Sequence, residues 1–224
     1  MYNHLLDTFI AVVDCGSFTK AAGNLYISPT AIMKQMNTLE KNLDLTDYKL
    51  HLVPFEDNHE GIVSEIKNLG DKFDFLVGVC DSKIWLSICN FLPLGRYKKM
   101  IAVSREHRLA SKSCVEIDDL YGENLMMVAR RNSEINDSIR NDLEKNHPKI
   151  NIIDTPQFYD WSVFNSCADS SNVLLTIECW KDVHPGLVSI PVNWDYSIPY
   201  GILYSKDAPD DVNKFVRLAN EIVK

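Results

Sequence analysis

Apolar residues recur at helical spacing from the start of the chain. Leu5, Leu6, Phe9, Ile10, Val12 and Val13 predict a helix from about Asn3 to Asp14. Gly16 supplies the stop, because glycine tolerates the left-handed conformation at a helix C-terminus. Ser17 is placed to cap a second helix, with Lys20 too long and too basic to complete a capping box. Ala21 and Ala22 are small, as a close helix crossing requires, and Phe18 and Leu25 anchor the same face. Gly23 weakens a helix and keeps this one short. Leu25-Tyr26-Ile27 reads as a turn. Ser28 then caps a third helix with Pro29 at its first position, where a missing N–H costs nothing. That helix extends to about Leu43, with Ile32, Met36, Leu39 and Leu43 inward and Thr30, Met33, Lys34 and Asn37 outward.

Further along, the pattern alternates between short apolar runs and helical periods. Tyr48 to Phe55 reads as a strand, Asn58 to Leu69 as a helix, and Phe73 to Val79 (FDFLVGV) as a buried parallel strand. That order suggests a right-handed βαβ crossover. Strands follow at Lys98–Val103, Asn124–Ala129, Ile150–Asp154, Val173–Ile177, Leu187–Pro191 and Ile198–Tyr204. A turn of helix begins at Ile117, and helices are predicted at Glu134–Asn146, Trp161–Ala168 and Val212–Val223. The last turns Val212, Phe215, Val216, Ala219 and Ile222 inward. The fold class is therefore helical at the N-terminus and α/β beyond it.

Two helices joined at a tight turn, the second opening at Ser28-Pro29, form the pattern of a helix-turn-helix DNA reader. A three-helix bundle with a solvated outer face fits the same pattern. Residues 1 to 46 resemble the N-terminal domain of LysR-type transcriptional regulators. The resemblance rests on Leu6 and Phe9, Gly16-Ser17-Phe18, Ala21-Ala22, Leu25, Ser28, Ala31, Leu39-Glu40 and Leu43. It implies that Ser28 to Asn37 is the recognition helix and that Ser17 and Phe18 start the supporting helix against the DNA backbone. The DNA-facing set is then Ser17, Phe18, Lys20, Ser28, Pro29, Thr30, Met33, Lys34 and Asn37. Met33 stands where many relatives carry a small polar residue, so their base preference does not transfer.

The resemblance continues more loosely through LPLGRYKKMIAVSREHRLAS, His184-Pro185-Gly186-Leu187-Val188 and Ile190-Pro191-Val192. It implies a bilobed effector domain, like type 2 periplasmic binding proteins, over residues 47–224, with a small-molecule effector in its cleft. The family's wing, linker helix and first βα unit have no counterpart: Leu43-Asp44-Leu45-Thr46 runs straight into a segment resembling the second strand of that domain. This looks like an internal deletion. The expected function is a DNA-binding transcriptional regulator modulated by a small-molecule effector, with double-stranded DNA and that effector as partners. The family also implies a homo-oligomer, against which the missing linker helix argues. The alternative is a shortened, non-regulating small-molecule-binding module with impaired DNA binding and dimerisation.

Composition narrows this further. A net charge of −8 excludes a uniformly basic surface, and Lys20, Lys34 and Lys41 give the helical block only a thin basic patch beside Asp7, Asp14, Glu40 and Asp44. Met1 is not followed by a basic stretch and an apolar run, and no apolar run reaches membrane-spanning length, so the expected location is the cytoplasm, away from membranes. The six cysteines show no CxxC spacing and read as free thiols. The six histidines are scattered, so no metal site is expected. No nucleophile elbow or phosphate loop is present, so neither an enzyme nor a cofactor is indicated.

Ligands of α/β domains sit beyond the carboxyl ends of strands. Here those positions are Cys80, Asp81 and Ser82, then Arg130, Arg131 and Ser133, then Phe158 and Trp161, and finally Thr176. Arg130 or Arg131 has the planar fork that suits a carboxylate. The competing reading has both arginines solvated and balancing nearby acids.

Overall fold

The computed structural model describes residues 4–15, 17–42, 59–131, 133–156 and 158–223. The N-terminal unit holds α1 (His4–Cys15), α2 (Phe18–Asn24) and α3 (Pro29–Asn42). Leu5, Phe9, Val12, Ala21, Ala22, Ile32, Met36 and Leu39 make its core. Ala21 and Ile32 are fully buried, which is why small and branched residues alternate where the helices cross. Tyr26 takes a left-handed conformation in the turn (φ 54°) and is almost fully exposed. The Ser28 Oγ accepts the Ala31 N–H at 3.1 Å, as its capping role predicts.

Two local expectations are corrected here. Ser17 stands at the N-cap of α2, but its side chain makes no capping bond; its carbonyl accepts the Ala21 N–H instead. Phe18 does not anchor the core, being 37% exposed, because Ala21 and Ala22 already fill the buried face of this seven-residue helix. Gly16 and Leu43 lie outside the described residues.

The remainder comprises α4 (His59–Lys67), β1 (Phe75–Val79), α5 (Lys83–Ile88), β2 (Cys89–Ser104), β3 (Asn124–Val128), α6 (Glu134–Asn146), β4 (Asn151–Thr155), α7 (Trp161–Ala168), β5 (Val173–Ile177), β6 (Leu187–Pro191), β7 (Ser197–Ser205) and α8 (Asp210–Val223). The strands follow the order β1-β7-β2-β5-β3-β4, with β6 also paired to β2. The 16-residue β2 joins two halves of this sheet. Its first part pairs with β7 as far as Lys98, opposite Ser197. From Lys99, opposite Ile177, it pairs with β5, and from Met100 with β6. Each half is therefore a lobe, and β2 is the crossing between them. Among the described residues, one lobe has β1, β7 and the first part of β2. The other has β3, β4, β5, β6 and the rest of β2.

β1 was expected to be buried and parallel. It pairs antiparallel with β7, and all five of its residues are half-buried. The strand expected at 48–55, and with it the βαβ crossover, lies outside the described residues. The sequence pattern also missed α5 and the first nine residues of β2, where Pro93, Gly95 and Arg96 interrupt any apolar alternation. A register shift between Pro93 and Gly95 absorbs that irregularity.

The larger lobe is centred on Ile101, Val103, Leu125, Met127, Leu143 and Leu175, packed beneath α6. α8 covers the smaller lobe through Val216 and Ala219, which meet Leu92 and Ile202. Its neighbouring residues Phe215 and Leu218 pack against the core of the helical unit. The Phe215 ring lies 4.8 Å from that of Phe75 and 6.4 Å from that of Phe9. α8 thus fastens the N-terminal unit to the smaller lobe.

Candidate functional site

On the helical unit, Thr30, Met33, Lys34 and Asn37 share an exposed face of α3, and Ser28 and Pro29 at its start are exposed too. Lys20 and Phe18 on α2 are also exposed, and Ser17 is half-buried. The inward stripe of Ile32, Met36 and Leu39 leaves the opposite side of α3 free, so Thr30, Met33, Lys34 and Asn37 share one outward face. A helix presented this way can lie in a major groove, while its N-terminal N–H groups meet a phosphate.

The second candidate surface lies between the lobes. The carboxyl ends of β1, β3, β4 and β5 meet where β2 crosses. Asp81, just after β1, spans the gap: its Oδ2 accepts the Ser133 Oγ at 2.5 Å and the Ile135 N–H at 3.0 Å at the start of α6. Ser82 caps α5, accepting the Trp85 N–H, and Ser133 caps α6, accepting the Asn136 N–H at 3.0 Å. An exposed ion pair, Lys83 with Glu134 at 2.5 Å, joins the same two helix starts and raises the Lys83 pKa. Beside it is a cavity of about 360 Å³ lined by Ser82, Lys83, Arg131, Ser133 and Asp137, among others. Phe158, from the larger lobe, packs into the apolar cluster of Ile62, Cys80, Cys89 and Leu203 on the smaller one. Burial pushes the Cys80 thiol up to about 11, so it is held as an unreactive thiol at neutral pH.

Residues 4–46 match the family described as bacterial regulatory helix-turn-helix protein, lysR family. By this domain the N-terminal part of the chain is similar to LysR-type proteins. The architecture described above agrees with a helix-turn-helix unit at that position. The fold is similar to that of CbnR, a LysR family transcriptional regulator, with a TM-score of 0.54 at 13% identity, covering 100% of each chain. It is similar to HinK, a LysR family transcriptional regulator from Pseudomonas aeruginosa, with a TM-score of 0.51 at 16% identity, covering 100% of this chain and 99% of that one. The effector binding domain of QuiR, solved with shikimate, gives a TM-score of 0.52 at 15% identity over 71% of this chain and 75% of that one. No curated protein matches the chain in sequence.

Within this architecture the expected effector residues separate. Asp81, Ser82, Arg131 and Ser133 are brought together. Arg130 is not with them: it donates to Asn141 at 2.7 Å and to Glu144 at 2.6 Å along α6, which is the charge-balancing reading. Trp161 is 61% exposed and leans on His184 with ring centroids 5.5 Å apart. Its helix is capped by Asp160, and the ring points to solvent because Val163, Phe164 and Cys167 take the buried side. Thr176 is buried within β5, on the face shared with Met100. Among the described residues no cluster of metal-binding side chains forms, and no helix is long and apolar enough to cross a membrane.

Sequence reasoning passed over Lys99. It is 6% exposed, at the point where β2 changes partner from β7 to β5. The visible signal was a lysine leading directly into Met100-Ile101-Ala102-Val103, a run whose members are all buried. Burial depresses the Lys99 pKa to about 8, against the weaker pull of Asp81 and Cys179.

Proposed function

We propose that this chain is a DNA-binding transcriptional regulator whose DNA binding is modulated by a small molecule held between the two lobes of residues 47–224. The observation that carries the first half is the outward face of α3, with Thr30, Met33, Lys34 and Asn37 exposed on a closed helix-turn-helix core. The second half is supported by the interlobe residues Asp81, Ser82, Arg131 and Ser133. Structures of similar fold were solved with shikimate (QuiR) and with 2-PG (CcmR of Synechocystis PCC6803). The working compartment is the cytoplasm, and the assembly follows from DNA binding: with Lys20 and Lys34 the cations on the reading face among the described residues, two copies are needed on one site.

We also propose that the wing, the linker helix and the first βα unit of the effector domain are missing. Among the described residues, the smaller lobe has fewer strands than the larger. That shortening favours one competing reading, a small-molecule-binding module that neither reads DNA nor dimerises. Binding to a labelled promoter fragment, measured across salt concentrations, separates the two. A regulator shows sequence preference and an affinity that falls steeply with salt. Binding with neither property leaves only the module.

A further inference from the structure

Met33 is an apolar side chain in the middle of a polar surface. It is the fifth residue of α3, and it is 48% exposed. Thr30 precedes it by three residues and Asn37 follows it by four, so the three line up on the outward face of the helix. Ile32, Met36 and Leu39 take the inward side and close the core of the helical unit. Among the described residues, Met33 joins none of the packed apolar clusters, neither that core nor the cluster through which α8 covers the smaller lobe. Core packing therefore gives no reason for a large apolar residue at this position.

The surroundings of Met33 narrow what it can meet. Lys34, exposed beside it, suits a phosphate, and phosphate contacts position a reader without telling it the sequence. The N-terminal part of a recognition helix is the part that reaches base edges, and Met33 lies there. A thioether has no donor and is only a weak acceptor, so it cannot tell one hydrogen-bonding pattern from another. In the major groove thymine differs from the other bases in presenting an apolar group, its C5-methyl. The unbranched, polarizable methionine side chain adapts to such a group through its three rotatable bonds.

We infer that Met33 is a specificity-determining residue that selects thymine, by packing its thioether against the C5-methyl group in the major groove. This rests on the reading of α3 as a DNA-recognition helix. Lys34 sets the position of the helix on the backbone, and Met33 sets the base that is preferred beneath it. Contact removes the methyl and the half-exposed side chain from water together. Burying one methyl group is worth a factor of about four in affinity.

The test begins with selection of duplexes from a random-sequence pool by the full chain. Each thymine enriched in a selected duplex is then replaced in turn by deoxyuridine, which keeps every hydrogen-bonding atom and lacks only the methyl. Fluorescence anisotropy measures the affinities of wild type, Met33→Gln and Met33→Leu. At one thymine of a half-site, deoxyuridine weakens wild-type binding by about fourfold. Met33→Gln, of similar length but polar, binds the two duplexes equally, and Met33→Leu, still apolar, keeps the preference. Because Met33 is half-exposed and outside the core, both variants melt at the wild-type midpoint, which circular dichroism checks. Deoxyuridine tolerated at every thymine overturns the inference and leaves DNA reading standing. A thymine preference that survives unchanged in Met33→Gln does the same, because another group then reads the methyl. If the full chain enriches no sequence from the pool, the inference and the regulator reading fall together.

Discussion

Single side chains settle two questions at opposite ends of the molecule. Lys34 is exposed on the third helix, and on the proposed reading of α3 its ammonium meets a phosphate, so its loss has a general effect. Lys34→Ala weakens binding to specific and nonspecific DNA alike, and the slope of log affinity against log salt falls by about 1. Unchanged affinity for both DNAs removes Lys34 from the interface. Lys99 is the reverse case, a charge that costs stability. Its pKa in the fold, about 8, lies below the ordinary 10.5. Below pH 8 it is charged in both folded and unfolded chains, and the full cost of burial is present. Between pH 8 and 10.5 the unfolded chain holds more protons, so stability rises with pH. At roughly 1.4 kcal/mol per pKa unit the total recovered is about 3.5 kcal/mol. Urea unfolding of the wild type and of Lys99→Met should therefore differ most near pH 7, with the variant more stable, and converge toward pH 10.5. Equal stability at both pH values means the ammonium is not desolvated.

Elements were legible where one face is buried and ambiguous where both or neither are. The second helix of the reader, its Ser28 cap and the apolar stripe of α3 follow directly from spacing, because that helix has a clear inside and outside. α6 and α7 were read correctly for the same reason. Phe18 was misread because a phenylalanine at a helix start carries no information about which way seven residues will roll. The first part of β2 was invisible because its pairing with β7 passes through a register shift that Pro93 and Gly95 make possible. The partner strand has its own requirement there. A Cβ at Gly201 would sit 2.0 Å from the Leu92 carbonyl oxygen, a contact that only a backbone shift relieves. Gly201→Ala is accordingly destabilising, by about 2 kcal/mol or more, on the scale of overpacking a filled site. Thermal or urea unfolding checks it, and a cost below about 0.5 kcal/mol shows that β7 has room to move. The cleft was half legible: strand ends located Asp81 and Ser133, but an arginine at a strand end has no marker for whether it turns inward, and Arg130 turned along α6. Lys99 lay at no strand end in the sequence reading, because β2 was predicted to begin beside it.

At the scale of the whole molecule, the question is how a change between the lobes reaches the DNA-reading helix when residues 43–58 are the covalent connection. The packing offers a second route. Phe215 belongs to both clusters, touching the smaller lobe through Phe75 and the helical unit through Phe9. Beside this apolar seam, the Tyr97 hydroxyl donates to Asp14 Oδ2 at 3.4 Å, and Tyr97 stacks on Tyr200 with centroids 4.1 Å apart. Tyr97 is two residues from Lys99 on the same strand, so the end of α1 rests close to the crossing between the lobes. Burial raises the Asp14 carboxyl pKa, with the Tyr97 hydrogen bond opposing in part. The docked arrangement therefore favours the protonated carboxyl, and ionisation at higher pH works against docking. Two substitutions act in opposite directions on this seam. Phe215→Ala removes the shared ring and costs about 2–3 kcal/mol, below the range for fully buried phenylalanines because the ring is half-buried. Asp14→Asn keeps a partner for the Tyr97 hydroxyl and removes the charge, so it tightens docking. Amide hydrogen exchange in residues 5–15 reports both, with faster exchange in Phe215→Ala and slower exchange in Asp14→Asn. If neither substitution changes exchange there, the Phe215 and Tyr97–Asp14 contacts do not hold the helical unit in place.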